Sequence, residues 1–347
     1  MDDSQYGATN KRGDWKPKDP LSYPPLFTWP LQPIPLVKWI IAWEGYILPW
    51  NLFYALVAIA VWNFATPSMN EIVSGGWHWM AFVLARNFVL AISVYGGWHL
   101  WLYSRKAQGT RFKFNGQWPD ARSEVFLFKQ QTIDNIIWTL FSGIPIWTAY
   151  ECLMLWLFSN HLISYVEFSS HPVYFILVFL LIPLIHDVHF YLIHRALHWP
   201  PFYRAIHALH HNYVNPGPWS GLSMHPLEHL AYFSGVLIHI VLPSHPVHAM
   251  FHLFQSALGP AQSHAGFDRI VVGETGMLES HGYQHYLHHK YFECNYADGA
   301  IPLDKWFGTF HDGSPEAQVA MDQRFLARAR RAKGKVSASA PPDKSSS

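Results

Sequence analysis

Charge is scarce in this chain. Asp, Glu, Lys and Arg make up 14% of 347 residues and leave a formal net charge of +1. A balance that even gives no argument for a nucleic-acid partner. Cysteine is nearly absent. Two residues, Cys152 and Cys294, exclude a disulfide framework, a cysteine-rich zinc site and a cysteine-ligated iron–sulfur cluster. The chain has no internal repeat and no glycine-rich phosphate loop. No secretory signal fits its start, because the first apolar run begins only near Leu36. What is abundant is aromatic or imidazole. Aromatics reach 17%, with 17 Trp, and 23 histidines equal Asp plus Glu combined. So few charges with so many apolar rings do not fit an ordinary soluble protein. Yet mean hydropathy is only +0.03, so spans must alternate with polar regions.

Taken in order, residues 1–35 are polar and proline-rich and read as a loop or surface arm, since the prolines prevent regular helix. Four stretches then reach the ~20 residues needed to cross a bilayer core: Tyr46 to Phe64, Trp79 to Leu102, Ile136 to Phe158, and Val173 to Ile193. Arg86 interrupts the second, near enough to its end to snorkel to the interface. The Trp-rich flanks read as interfacial belts. Loops 65–78 and 159–171 hold no Lys or Arg, whereas loop 104–130 holds Arg105, Lys106, Arg111, Lys113, Arg122 and Lys129. The positive-inside rule then places both termini and the histidine-rich region on the cytoplasmic side. A further apolar stretch, 231–258, is broken by Pro243 and Pro246 into halves too short to span, and reads as a re-entrant helical hairpin. Residues 313–332 read as an Arg-rich helix, and the tail from Lys333 is low-complexity and reads as disordered. The divisions expected are thus 1–35 for the arm, 36–130 for two spans and the basic loop, 131–312 for the chemistry, and 313–347 for helix and tail. The fold class is an all-α integral membrane protein of about four transmembrane helices plus the hairpin, with a cytoplasmic His-rich cap.

Histidine spacing carries the chemistry. His194 and His198 form H-x-x-x-H at the end of the fourth span; His207, His210 and His211 form H-x-x-H-H just beyond; His285, His288 and His289 repeat that triplet far downstream. Residues three and four apart share a helix face, so each cluster can aim two or three imidazoles at one point. Neutral imidazole is a good ligand for iron, zinc and copper. Eight such ligands exceed the four of a tetrahedral zinc and suit two metals. Asp187, one heptad before His194, is costly near a membrane interface unless paired, and the outer N–H of a ligand imidazole is the expected partner. His281, four residues before His285, is a second candidate for such support. His186 and His189 read as interfacial and satisfied; His239, His245, His248 and His252 read as interfacial or core histidines.

Three histidine boxes in this order, in a four-span chain, resemble the sterol desaturase / fatty acid hydroxylase superfamily. The context is similar too: D-x-x-x-Y-x-x-H-R-x-x-H at Asp187, Tyr191, His194, Arg195 and His198; H-P-x-E at His225, Pro226 and Glu228; S-H-x-G-F-D at Ser263, His264, Gly266, Phe267 and Asp268; and the closing N-Y and L-D-K-W-F-G-T segments. The likeness covers roughly 130–312. It implies a histidine-ligated di-iron enzyme, with His225 and His264 joining the eight as metal ligands, O2 as co-substrate and a membrane lipid as substrate. The reaction would be hydroxylation or desaturation of an unactivated C–H bond. The closing segment leans to the sterol branch, with alkylglycerol, fatty acyl and sphingoid substrates as alternatives. The chain has no dinucleotide fingerprint, flavin motif or H-P-G-G haem element, so electrons would come from a separate reductase, ferredoxin or cytochrome. The membrane would be a bacterial inner membrane or the endoplasmic reticulum. Two other classes stay open on the residues: a zinc hydrolase built on the H-x-x-E-H of His225, Glu228 and His229, and a metal transporter.

Overall fold

The computed structural model describes residues 3–274 and 276–338. It is mostly helical, with two small antiparallel hairpins, Gly7–Thr9 with Trp15–Pro17 and Arg269–Val272 with Gly276–Glu279. Three helices are long and apolar enough to cross a membrane: α2 (His78–Ser104), α3 (Gln131–Ser159) and α4 (Pro172–Leu197). Ahead of them stands α1 (Trp50–Phe64), apolar but only 15 residues long. The expected count of four full spans is therefore corrected to three, plus a helix of about 22 Å. The reason is Pro49, which N-caps α1, while Tyr46 turns back through its N–H to the Trp39 carbonyl, so the apolar run before it cannot join the helix.

The hairpin of 226–258 sits in the middle of this bundle. Its first limb is a helix at Pro226–Phe233 that tightens into a 3-10 helix at Ser234–Ile240; its second is α5 (Pro246–Leu258). The 3-10 segment rises about 2 Å per residue instead of 1.5. A limb too short to span as α-helix thus reaches about 26 Å deep. Its tip meets the loop between α3 and α4: Val166 N–H donates to the Ser244 carbonyl at 3.0 Å, and the Tyr174 hydroxyl donates to the Pro243 carbonyl at 2.8 Å. One core, including Trp147, Phe158, Phe251 and Phe254, ties α1, α2, α3, α4 and the hairpin together.

Arg86 does not snorkel. It is 8% exposed in the bundle and pairs with Glu151 of α3 at 2.5 Å, while Nη1 donates to the Ala65 carbonyl at 3.0 Å. Asn87 donates to Glu151 and to Thr148. The partner stands 65 residues away, which is why hydropathy alone misplaces the arginine. Nor is the N-terminal arm a loose surface segment. Trp15 is buried, its indole N–H donates to Asp268 Oδ2 at 3.0 Å, and Leu21 N–H donates to the Asp312 carbonyl. The C-terminal helix runs over Pro315–Ala338, past the expected start of the disordered tail at Lys333. The rest of that tail, 339–347, lies outside the described residues.

Candidate metal centre

The end of α4 and several short elements deliver the imidazoles. His194 lies in the last turn of α4, and His198 is its C-cap. Pro200 and Pro201 then end that helix and allow a new start. A π-helical turn at Tyr203–His207 leads into a helix at Ala208–His211, which carries His210 and His211. Single π turns recur at functional sites because they shift the register of the side chains that follow. The last three come from α6 (Tyr283–Tyr291), closed by Phe292 in the left-handed region at φ 65°. His264 C-caps the short helix Pro260–Ser263.

These nine histidines assemble into two adjoining groups. His194, His198, His207, His211 and His288 bring one ligand nitrogen each within 4.8 Å of one another; His210, His264, His285 and His289 do the same. The two H-x-x-H-H triplets divide alike. The i and i+4 imidazoles of a triplet share one group, and the i+3 imidazole crosses to the other: His210 leaves His207 and His211, and His288 leaves His285 and His289. Helical periodicity gives this division, since i+3 and i+4 lie on either side of the face set by i. The groups touch through the His211 and His289 rings, whose centroids are 4.9 Å apart.

The hydrogen bonding fits a cation between the nitrogens. Nδ1 of His194 donates to the Tyr296 carbonyl at 2.8 Å, His210 to Ser223 at 3.2 Å, His288 to Cys294 at 2.7 Å, and His207 to Glu228 Oε1 at 2.7 Å. A neutral imidazole carries one N–H, so each of these four rings is left with a bare Nε2 lone pair. Yet the Nε2 atoms crowd together. His198 Nε2 stands 3.1 Å from those of His207, His211 and His288, and His207 Nε2 is 2.9 Å from that of His211. In the second group His285 and His289 Nε2 are 3.0 Å apart. An Nε2–H can donate to one neighbour only, so the three imidazole nitrogens at 3.1 Å around His198 Nε2 cannot all be hydrogen-bonded to it, and a positive ion between them resolves the crowding. A separation of about 3 Å is the edge of an octahedron with ~2.1 Å metal–nitrogen bonds. His194 Nε2 and His264 Nε2 are buried with no protein partner among the described residues. Burial also holds the rings in ligand form: it pushes His207, His211, His264, His285, His288 and His289 well below the ordinary imidazole range, and His210 down to about 4.

Three expected residues are not brought to these groups. His225 N-caps the helix Pro226–Phe233, its Nδ1 accepting from Leu227 N–H at 3.2 Å. The histidine-rich context hid its position before Pro226, where a cap was the simpler reading. Asp187 touches no imidazole. Its Oδ2 accepts from Ala300 N–H at 2.7 Å and from Ile301 N–H at 3.4 Å, so it pins the loop whose Tyr296 carbonyl holds His194. His281 precedes α6 instead of lying on it; its φ is +55° and it faces Glu279 at 3.6 Å. The H-x-x-E-H reading fails on the same grounds. His225 caps, Glu228 binds His207, and His229 accepts from Ser142 and donates to the Leu222 carbonyl, so the three share no point. Supporting residues the sequence reading missed are Ser223, Cys294 and Tyr296, which act through their carbonyls and leave no side-chain signal. Asp304 of the L-D-K-W-F-G-T segment is another. It is fully buried and accepts from Tyr296 and Ala297 N–H, fixing the same loop from below.

His194, His207, His210, His264 and His285 of the centre line a cavity of about 700 Å³. Phe190, Tyr232 and Tyr54 add aromatic wall to it, and residues 19–25 of the N-terminal arm line it as well.

Fold and centre together define the class: a helical membrane protein with a polyhistidine candidate metal centre. Comparison with known proteins sharpens it. Residues 179–309 match the sequence model of the fatty acid hydroxylase family. A delta(7)-sterol 5(6)-desaturase of Gibberella zeae is 27% identical over 138 residues, covering 38% of this chain and 40% of the relative. One of Candida glabrata is 29% identical over 150 residues, covering 40% and 38%. A methylsterol monooxygenase of Aspergillus fumigatus is 32% identical over 146 residues, covering 39% and 46%. The chain thus spans less than half the length of these relatives. Over this stretch the chain resembles the sterol desaturase / fatty acid hydroxylase superfamily. No solved structure matches it.

Proposed function

We propose that this protein oxidises an unactivated C–H bond of a membrane lipid with O2, at two irons held by the five- and four-histidine groups, and that the lipid is a sterol or sterol-like. The observation that carries this reading is a conjunction: nine imidazoles in two adjoining groups, five of which line a partly aromatic cavity of about 700 Å³. The sterol preference rests on the names of the relatives, which print both desaturase and monooxygenase activities. Both reactions take one O2, two electrons and two protons. Hydroxylation gives R–OH and one water; desaturation gives a double bond and two waters.

Iron bound by these nitrogens would supply the activation of O2. The remaining work belongs to the chain. The carbonyls of Tyr296, Ser223 and Cys294 and the carboxylate of Glu228 hold a proton on Nδ1 of four rings, keeping Nε2 free and aimed. Phe190, whose ring centroid is 5.0 Å from that of His194, and Tyr232 give a lipid an apolar wall to lie against. We place the catalytic unit over 131–312, with the arm adding cavity wall, and both termini and the centre on the cytoplasmic side from the basic loop 104–130. Electrons would come from a separate donor protein. The test is elemental analysis of protein purified under reducing conditions, with accurate-mass comparison of lipids from cells with and without the gene. About two metals per chain and a shift of one oxygen or two hydrogens are expected; one metal per chain, or no lipid change, would overturn the reading.

A further inference from the structure

A second set of histidines lies inside the helix bundle, away from the centre. Three of them line up between the bundle's two ends. His239, near the hairpin tip, is fully buried; its Nδ1 is hydrogen-bonded with Ser244 Oγ at 2.9 Å, and its Nε2 has no protein partner among the described residues. His252 on α5 is 1% exposed, and neither of its ring nitrogens has one. His186 on α4 follows: its Nδ1 donates to Ser256 Oγ at 3.1 Å, because that hydroxyl spends its own proton on the His252 carbonyl. His186 Nε2 is therefore a lone pair, and the residue lines the cavity that reaches the metal centre. Ring centroids step 5.6 Å from His239 to His252 and 5.9 Å from His252 to His186. At the outer end, Ser244 is joined through its backbone to the loop between α3 and α4.

A buried imidazole nitrogen without a partner is destabilising, so a run of them needs a reason. Neighbouring His248 shows that the fold can satisfy such rings. It is equally buried, but its Nδ1 accepts from His245 N–H and its Nε2 donates to the Phe175 carbonyl. His239, His252 and His186 differ in keeping nitrogens unpaired, in rings whose centroids stand 5.6 and 5.9 Å apart, a gap that one water can bridge. Imidazole takes a proton at one nitrogen and releases one from the other, and ionisable residues held inside a membrane recur as proton relays.

We propose that Ser244, His239, His252 and His186 form a proton relay that draws protons from the membrane face opposite the metal centre and delivers them to its cavity. The inference rests on the oxygenase reading, whose reaction needs two protons per O2. The electrons come from the one-electron donor protein on the centre's own side, so turnover moves charge across the membrane.

The test uses the full chain, loaded with iron and then oxidised to iron(III), in phosphatidylcholine vesicles with a pH-sensitive dye trapped inside. A limiting amount of dithionite added outside reduces only molecules whose centres face outward, and a pulse of O2 follows. Reduction of O2 takes up protons whether it ends as water or as hydrogen peroxide, so no lipid substrate is required. The vesicle interior should become alkaline as O2 is consumed. His252→Phe and His239→Phe, which keep an aromatic ring but no relay nitrogen, should slow that rise by about 100-fold with iron content unchanged. An interior pH that stays fixed while the wild type consumes O2 would overturn the relay, as would variants that retain iron and alkalinise at the wild-type rate. A wild type that binds iron but consumes no O2 would overturn the oxygenase reading itself, and the relay with it. A measurement on resting wild-type protein covers the case of variants that fail to fold. Deuterium exchange at imidazole C2–H should run faster at His252 and His239 than at His248; equal rates would overturn the proposal.

Discussion

Two buried polar networks, one in the bundle and one in the cap, solve the same problem in opposite ways. Around Arg86 every strong group is answered from within: the guanidinium by Glu151 and the Ala65 carbonyl, and Asn87 by Glu151 and Thr148. Positive and negative charge cancel, and nothing is left over for a ligand. In the cap the outer nitrogen of four rings is satisfied by a carbonyl or by Glu228, while the inner nitrogens face each other at about 3 Å with no counter-charge among them. A closed network is an element of architecture. One that closes only around a cation is a site.

The sharpest way to break the comparison is to remove a group from the open network. His207→Ala or His289→Ala should abolish turnover and lower metal content, since each takes a nitrogen from the crowded edge of its group. His264→Ala should lower metal content as well, because its unpartnered Nε2 belongs to the group of four. If elemental analysis of any of the three matches wild type, that residue is not a ligand.

The closed network should respond differently. Arg86→Leu alone leaves Glu151 buried without its counter-charge, and about 3–5 kcal/mol of stability should go. Adding Glu151→Leu should recover most of that loss, since a desolvated ion pair is replaced by packing. Thermal unfolding of the single and double variants in detergent measures this. A double variant no more stable than the single would mean the pair is needed for more than charge balance.

Between these extremes lies Glu228, an acidic side chain hydrogen-bonded to the His207 ring and pushed well above the ordinary carboxyl range by burial. Glu228→Gln keeps an acceptor for His207 Nδ1 but removes a group that can take up that ring's proton. Metal affinity should fall by about 10-fold to 100-fold without unfolding the protein. Competition with a chelator followed by metal analysis reads it.

The same contrast explains how much was legible beforehand. Nine of the ten expected histidines stand in the two groups, eight of them because H-x-x-x-H and H-x-x-H-H are local patterns that a helix converts directly into shared faces. His264 came from likeness alone, since nothing in its spacing marks it. A hairpin over 231–258 was readable from Pro243 and Pro246, and the structure starts its first limb at Pro226. The depth of the hairpin was not readable, because the 3-10 lengthening of Ser234–Ile240 has no strong sequence signature. Non-local pairs were invisible: Arg86 with Glu151, Asp187 with the backbone of Ala300, and the arm's Trp15 with Asp268. Each joins residues 65 or more apart, and no periodicity connects them.

Asp187 leads to a smaller effect with a definite geometry. It was expected on an imidazole and instead holds the loop that carries Tyr296. A Cβ built on Gly299 would meet its carboxylate oxygen at 1.8 Å. Gly299→Ala should therefore push the loop off Asp187 and loosen the Tyr296 carbonyl from His194, costing about 1–3 kcal/mol. Metal should bind more weakly while the group of four keeps its ligands. Wild-type affinity in this variant would mean that His194 keeps its orientation without the loop.

The smallest effect belongs to the histidine that likeness placed at the metal and the fold did not. His225 sits at the start of the Pro226–Phe233 helix, where its ring accepts one backbone N–H. Truncating a capping acceptor costs about 1 kcal/mol and leaves the rest of a helix in place. The neighbouring Glu228, which does reach His207, is held by the same helix, so a frayed first turn bears on the metal only through that one hydrogen bond. His225→Ala should therefore lower the unfolding temperature slightly and leave metal content at the wild-type value. Loss of a whole metal equivalent from His225→Ala, with Glu228→Gln retaining both, would return His225 to the ligand set. It would also require the first turn of this helix to rearrange when metal binds.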